Sequence, residues 1–162
     1  MSTTAATSMT PVEQLLVESE ITRLLNTYVH HLDSGKFAEI AALFGDATFE
    51  VMGTTVSGRE NIEAFLAGNV RRHEDGTPRT AHTLANTLVD IDPSGISASS
   101  VSYFTVHQQV EGLALQPICT GHYLDTFELH DGKWRFASRN VQPRFFGELS
   151  FHAGAAVDLS AL

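Results

Sequence analysis

Cysteine is nearly absent. Cys119 is the only one in 162 residues, which excludes a disulfide framework and any cysteine-based metal site and fits a reducing, cytoplasmic compartment. Basic residues are scarce too, 10 against 19 acidic, for a net charge of −9 with the histidines neutral. Nucleic acids and anionic membrane surfaces need clustered Lys and Arg. The one basic cluster, Arg71-Arg72-His73, runs straight into Glu74-Asp75 and reads as a solvated helix end. The Ser/Thr/Ala-rich opening has neither the basic start nor the apolar run of a signal peptide, and it is no membrane span. A frayed tail over residues 1–10 is the expectation. There is no HExxH, no glycine-rich phosphate loop and no GxSxG elbow. A metal site would have to be assembled from His31, His82 and His107, which no ligand spacing ties together. A small molecule is left as the expected partner, with no nucleic acid and no membrane.

What is present is a pattern that changes period once. Thr10-Pro11-Val12-Glu13 opens a helix: Thr10 caps it, Pro11 suits the first helical position and Glu13 closes a capping box. Apolar residues then recur at helical spacing through Leu15, Leu16, Ile21, Leu24, Leu25, Tyr28, Val29 and Leu32. Gly35 ends the helix just past Asp33. A second helix is expected over Lys36 to Phe44, and an alternating strand over Asp46 to Met52. Gly53 and Gly58 bracket a turn region, and Ser57 with Glu60 makes a capping box for a third helix from about Arg59 to His73. From Arg79 onward the pattern is strand. Segments near 79–91, 96–110, 113–130 and 133–146 are parted by hairpin signals at Asp92-Pro93-Ser94-Gly95, Glu111-Gly112 and Asp131-Gly132. Helices followed by a four-strand meander make an α+β layout, in which a long helix over a curved sheet encloses a pocket. A hydrophobic content of 43% fits one domain with a single core, placed over residues 11–146. The tail 147–162, with Phe151, His152 and an Ala/Gly run, is expected to fold back as a lid.

The residues suited to chemistry begin with Asp33 and His82. His82 opens the first strand of the meander, directly after a charged loop. A carboxylate behind an imidazole fixes its tautomer and makes it a competent base near neutral pH. Asp33 closes a helix, where negative charge is disfavoured, so a specific partner is expected there. The alternative is a plain helix-terminal aspartate and a hydrogen-bonded strand histidine. Tyr28, on the apolar stripe, either polarises a substrate carbonyl or satisfies a buried backbone group. It lies roughly 140° around the helix from Asp33, so the two share a pocket only if Asp33 sits at a distorted end. Between Tyr103 and Gln109, period two puts Tyr103, Thr105, His107 and Gln109 on one face and Phe104, Val106 and Gln108 on the other. The first face either lines a polar pocket, with His107 as a second proton carrier, or looks at solvent. On the residues alone the solvent reading is favoured. Arg139 and Arg144, on the last strand, either hold an anion or form surface ion pairs. His122 and Tyr123 fall on opposite faces, and Tyr123 is the better pocket candidate.

In order, Tyr28-x4-Asp33, Leu43-Phe44-Gly45-Asp46-Ala47, Gly58-Arg59-Glu60, His82, and Tyr123-x-Asp125-x-Phe127 through Asp131-Gly132-Lys133-Trp134-Arg135-Phe136 resemble a SnoaL-like domain. That family belongs to the nuclear transport factor 2-like superfamily of cone-shaped α+β barrels. The resemblance runs from about Val12 to Phe146. It is strongest to the branch of scytalone dehydratase and bile acid 7α-dehydratase, which also holds a hexachlorocyclohexane dehydrochlorinase. It implies Asp33 and His82 as a catalytic dyad, Tyr28 as a catalytic tyrosine, and Arg144 as a substrate-binding arginine. It also implies His107, in Val106-His107-Gln108, as the second histidine, which reverses the solvent reading of that face and draws Tyr103 into the substrate site. Phe49 and Tyr123 fall near positions where scytalone dehydratase carries a tyrosine and an asparagine; they are expected to line the pocket around a different substrate. The implied chemistry is a cofactor-free elimination or isomerisation of a small cyclic or polycyclic molecule. His82 takes the proton, Tyr28 or His107 stabilises the oxyanion or protonates departing hydroxide, and Arg144 positions an anionic part. The same fold serves non-catalytic binding members and the small structural subunits of ring-hydroxylating oxygenases. Pairing through the sheet face, as a homodimer or homotrimer, is the expected assembly.

Overall fold

Four long strands joined by tight turns carry the architecture, and a computed structural model describes it over residues 9–161. The expected frayed tail over residues 1–10 lies almost wholly outside the described residues. The elements in chain order are α1 (Pro11–Asp33), α2 (Phe37–Phe44), β1 (Thr48–Val51), β2 (Thr54–Ser57), α3 (Arg59–Asn69), β3 (Thr80–Ile91), β4 (Ser97–Val110), β5 (Leu113–His130) and β6 (Lys133–Phe146), closed by a short 3-10 turn at Leu159–Ala161. The capping box at Thr10 is formed: its hydroxyl accepts from the Glu13 backbone and the Glu13 carboxylate accepts from the Thr10 backbone. Asp131 and Gly132 both take positive φ, 49° and 75°, as the two-residue hairpin between β5 and β6 demands.

The sheet runs β2-β1-β6-β5-β4-β3, with β1 and β6 parallel and every other pairing antiparallel. β2 and β3 are free edges, so the cone is open rather than closed. Bulges interrupt the register between β3 and β4, β4 and β5, and β5 and β6, and each adds local bend and twist. The concave side is covered by α1, which presents Ile21, Leu25, Tyr28, Val29 and Leu32 to the core. Val12, Leu15 and Leu16 fit the helical period yet are at least 60% exposed. No described helix is long and apolar enough to cross a membrane.

Three local expectations are corrected. The turn region between Gly53 and Gly58 is a strand, β2, which pairs back onto β1; four residues are too few to display an alternating pattern. The box of Ser57 with Glu60 does not form. Gly58 takes the N-cap at φ 81° with no side-chain cap, and Asn61 donates to the Ser57 carbonyl instead. α3 ends at Asn69 rather than His73, because the next backbone leaves the helix to meet the C-terminal tail. Val70 bridges Ala153, Arg71 donates to the His152 carbonyl at 2.9 Å, and Gly154 donates to the Asn69 carbonyl at 2.9 Å.

Candidate active site

Asp33 is the last residue of α1, and its side chain leaves the helix axis for the start of β3. There it accepts three hydrogen bonds: from the Thr80 hydroxyl at 2.7 Å, the His82 backbone N–H at 2.8 Å and His82 Nδ1 at 2.5 Å. Inward alternation of Thr80, His82 and Leu84 along an edge strand is what brings two of these side chains to one carboxylate. Burial alone would raise the Asp33 carboxyl. The hydrogen bonds from His82 and Thr80, with the attraction of the imidazole, outweigh it and hold Asp33 below the ordinary carboxylate range. An ionised carboxylate accepts only, so Nδ1 donates to Asp33, and in the neutral form of the ring the lone pair lies on Nε2.

The His82 side chain is only 4% exposed and lines a cavity of about 400 Å³, within the size range of small-molecule sites. Asp33 stands behind it. Tyr28, Phe49 and Tyr123 contribute to the aromatic part of the wall with Phe65, Phe104 and Phe146, and Val141, Cys119 and the tail residues Leu149 and His152 are among the others that line it. Burial pushes the Tyr28 phenol up to about 12 against the pull of the Arg139 guanidinium, and it also lifts Tyr123 well above the ordinary phenol range. Both phenols are therefore neutral donors at physiological pH. Burial also pushes the Cys119 thiol up to about 11, so it is no thiolate nucleophile.

Beneath the tyrosines lies a buried ion pair, Arg139 with Asp125, where the sequence alone leaves open anion binding or a surface pair for Arg139. Arg139 is 1% exposed and grips Asp125 through two bonds of 2.7 and 2.8 Å. Its guanidinium is stacked 4.1 Å from the ring centres of both Tyr28 and Tyr123. The pair is a cross-strand neighbour on β5 and β6. Counting at constant register from the Asp131-Gly132 turn would set Asp125 opposite Ser138. The bulge after Phe127 skips Ala137 and moves Arg139 into place, so the turn signal was present but the bulge hid its consequence.

Of the residues expected at the site, Tyr28, Phe49, His82 and Tyr123 line the cavity with Asp33 behind His82, whereas His107, Tyr103 and Arg144 lie elsewhere. His107 and Tyr103 alternate with the buried Phe104, Val106 and Gln108 and so point to the outer face of the sheet. Tyr103 is 46% exposed there and packs on His122 at 4.3 Å. This placement follows the period-two alternation of β4 and differs from the one the resemblance implies. Arg144 is exposed beside Phe145, while its strand neighbours Pro143 and Phe146 reach the cavity. No three described His, Cys, Asp or Glu side chains group as metal ligands. His152, a cavity residue on the tail, has no periodic pattern around it to announce its place.

A family model described as a SnoaL-like domain matches residues 13–140. The chain belongs to that family. As a SnoaL-like domain of the nuclear transport factor 2-like superfamily it shares its fold with a candidate scytalone dehydratase from Novosphingobium aromaticivorans, at TM-score 0.70 and 23% identity over 90% of this chain and 95% of that one. It likewise matches the beta subunit of a candidate aromatic-ring-hydroxylating dioxygenase from the same organism, at TM-score 0.68 and 16% identity over 87% and 98%. By sequence it is 29% identical, over 92 residues, to the beta subunit of the methanesulfonate monooxygenase hydroxylase of Methylosulfonomonas methylovora. That match covers 52% of this SnoaL-like chain and half the length of the relative.

Proposed function

We propose that this SnoaL-like domain is a cofactor-free proton-transfer enzyme, a dehydratase-type lyase or an isomerase acting on a small cyclic or polycyclic substrate. The observation that carries the reading is the Asp33–His82 pair, joined at 2.5 Å with the imidazole in the wall of an apolar cavity. His82 Nε2 takes a proton from a carbon beside a carbonyl, and the Asp33 carboxylate stabilises the imidazolium that results. The neutral Tyr28 hydroxyl serves the oxygen on which charge develops. In the elimination, the electron pair left on carbon expels hydroxide from the neighbouring carbon, and the imidazolium proton leaves with it as water. In the isomerisation the same proton returns to a different carbon. Tyr123 and Phe49 shape the substrate space; His107, Tyr103 and Arg144, on the outside, take no part.

The test is Asp33→Asn, assayed on cyclic hydroxy-ketones and hydroxy-acids that the wild type turns over. Turnover is expected to fall by about 10²- to 10⁴-fold, the usual contribution of general acid–base catalysis, with the circular dichroism spectrum unchanged. A fully active variant sinks the mechanism.

A second reading, a small structural subunit of an oxygenase, is supported by the likeness to the methanesulfonate monooxygenase hydroxylase beta subunit. It requires a stable complex with a large catalytic subunit whose activity is indifferent to Asp33→Asn. Native mass spectrometry of the protein purified from its own host distinguishes the two readings.

A further inference from the structure

The geometry points to a further polar contact in the pocket that the family resemblance does not supply: His152, on the C-terminal tail, meets an oxygen of the bound cyclic ligand while His82 faces its reacting carbon. This deepens the reading above and rests on its cavity, but not on turnover by the dyad.

Three observations carry it. First, His152 lines the same cavity as His82, and its position is set by backbone on both sides. The His152 carbonyl accepts from Arg71 at 2.9 Å, Ala153 bridges Val70, and Gly154 donates to Asn69. Second, no side-chain hydrogen bond holds the His152 ring among the described residues: Nδ1 is fully closed off and unpartnered, which leaves Nε2 as the ring nitrogen that can meet a ligand. A polar atom left unpaired inside a protein is costly, and native folds keep few of them. Third, the ring is uncharged. Burial and the neighbouring His82 and His73 disfavour a proton on it, the Asp33 carboxylate behind His82 favours one, and the balance brings its pKa down to about 4. A neutral imidazole both donates and accepts. It can therefore hold a hydroxyl or a carbonyl oxygen without a net charge to solvate. The second histidine expected from β4 is thus met from the tail, and a ligand is completed by the segment that covers it. The ligand class follows: a compact, mostly apolar ring system with one oxygen set away from the reacting carbon.

The test uses 2-naphthol and naphthalene, bicyclic probes that differ by one hydroxyl, in fluorescence titrations of the full chain. The wild type is expected to prefer 2-naphthol by about tenfold or more, the effect of one hydrogen bond that completes a buried group. His152→Leu is expected to abolish that preference while naphthalene affinity holds within about twofold. His152→Gln keeps part of it. Absence of binding, absence of preference, or a preference that survives His152→Leu overturns the assignment. If His152→Leu loses its fold, the wild-type ring resonances decide. The ¹⁵N signals of His152 shift with 2-naphthol and not with naphthalene, and signals that ignore both probes overturn it as well. An intact preference without turnover of any hydroxy-ketone defeats the dyad mechanism alone.

Discussion

A carboxylate at the C-terminal end of a helix meets the negative pole of the helix dipole, and Asp33 is held there by three donors from β3. Its folded pKa is depressed, so its contribution to stability is present above the ordinary aspartate value of 3.8 and is lost as pH falls further. His152 acts at milder acidity. Its folded pKa, about 4, lies below the ordinary 6.5, so the unfolded chain binds the extra proton and stability declines as pH falls from 6.5 towards 4. The expected loss is on the order of 3 kcal/mol, read from urea midpoints, and His152→Gln flattens that part of the profile. At Arg139 the charge is buried and already paired. Arg139→Met strands the Asp125 carboxylate and is expected to cost about 3–5 kcal/mol in urea unfolding; a loss under 1 kcal/mol would show that water reaches the pair. Arg144→Met, on the exposed side of β6, is expected to leave ligand affinity unchanged.

At the scale of elements, the tail from Gly147 onward is attached through α3 and the residues just after it. Gly154 is central to that attachment. A Cβ on it would stand 2.2 Å from the Gly68 carbonyl oxygen, a backbone contact that no rotamer relieves. Gly154→Ala is therefore expected to detach the tail while the sheet stays folded. Hydrogen exchange checks this at Arg71, whose amide is tied to the His152 carbonyl at 2.9 Å. Its protection falls in the variant, whereas the amides of β4 and β5 keep theirs. Affinity for 2-naphthol falls with it, since the detached segment carries part of the cavity wall.

For the molecule as a whole, the outer face of the sheet is the surface to explain. Tyr103, Leu124 and Phe145 are 46, 39 and 65% exposed on neighbouring strands β4, β5 and β6, a grouping of large side chains that a monomer seldom leaves to water. The expectation of a dimer or trimer through this face gives a direct measurement. Leu124→Lys is expected to shift the mass found by light scattering to that of one chain, without changing the cavity, which lies on the other side of β5. A wild type that is already monomeric at all concentrations removes the idea. The net charge of −9 adds repulsion between copies, so any association is expected to strengthen with salt.

The elements were legible from the chain because periodicity and turn residues are local. Thr10 to Glu13 cap α1, Asp131-Gly132 closes the β5–β6 hairpin, and the strict alternation of β4 separates Phe104, Val106 and Gln108 from Tyr103, Thr105 and His107. The juxtaposition of Asp33 with His82 was also foreseeable, from a misplaced helix-terminal carboxylate and from the family's spacing. What only the tertiary structure decided depends on register and on long-range contact. One skipped residue at Ala137 sets Arg139 opposite Asp125, and β2 exists because it finds β1. His152 reaches the cavity because Val70 and Asn69 offer free backbone to a tail with no pattern of its own. Local rules state which face a side chain takes; which neighbours share that face is settled when the whole sheet has curved and the chain has closed over it.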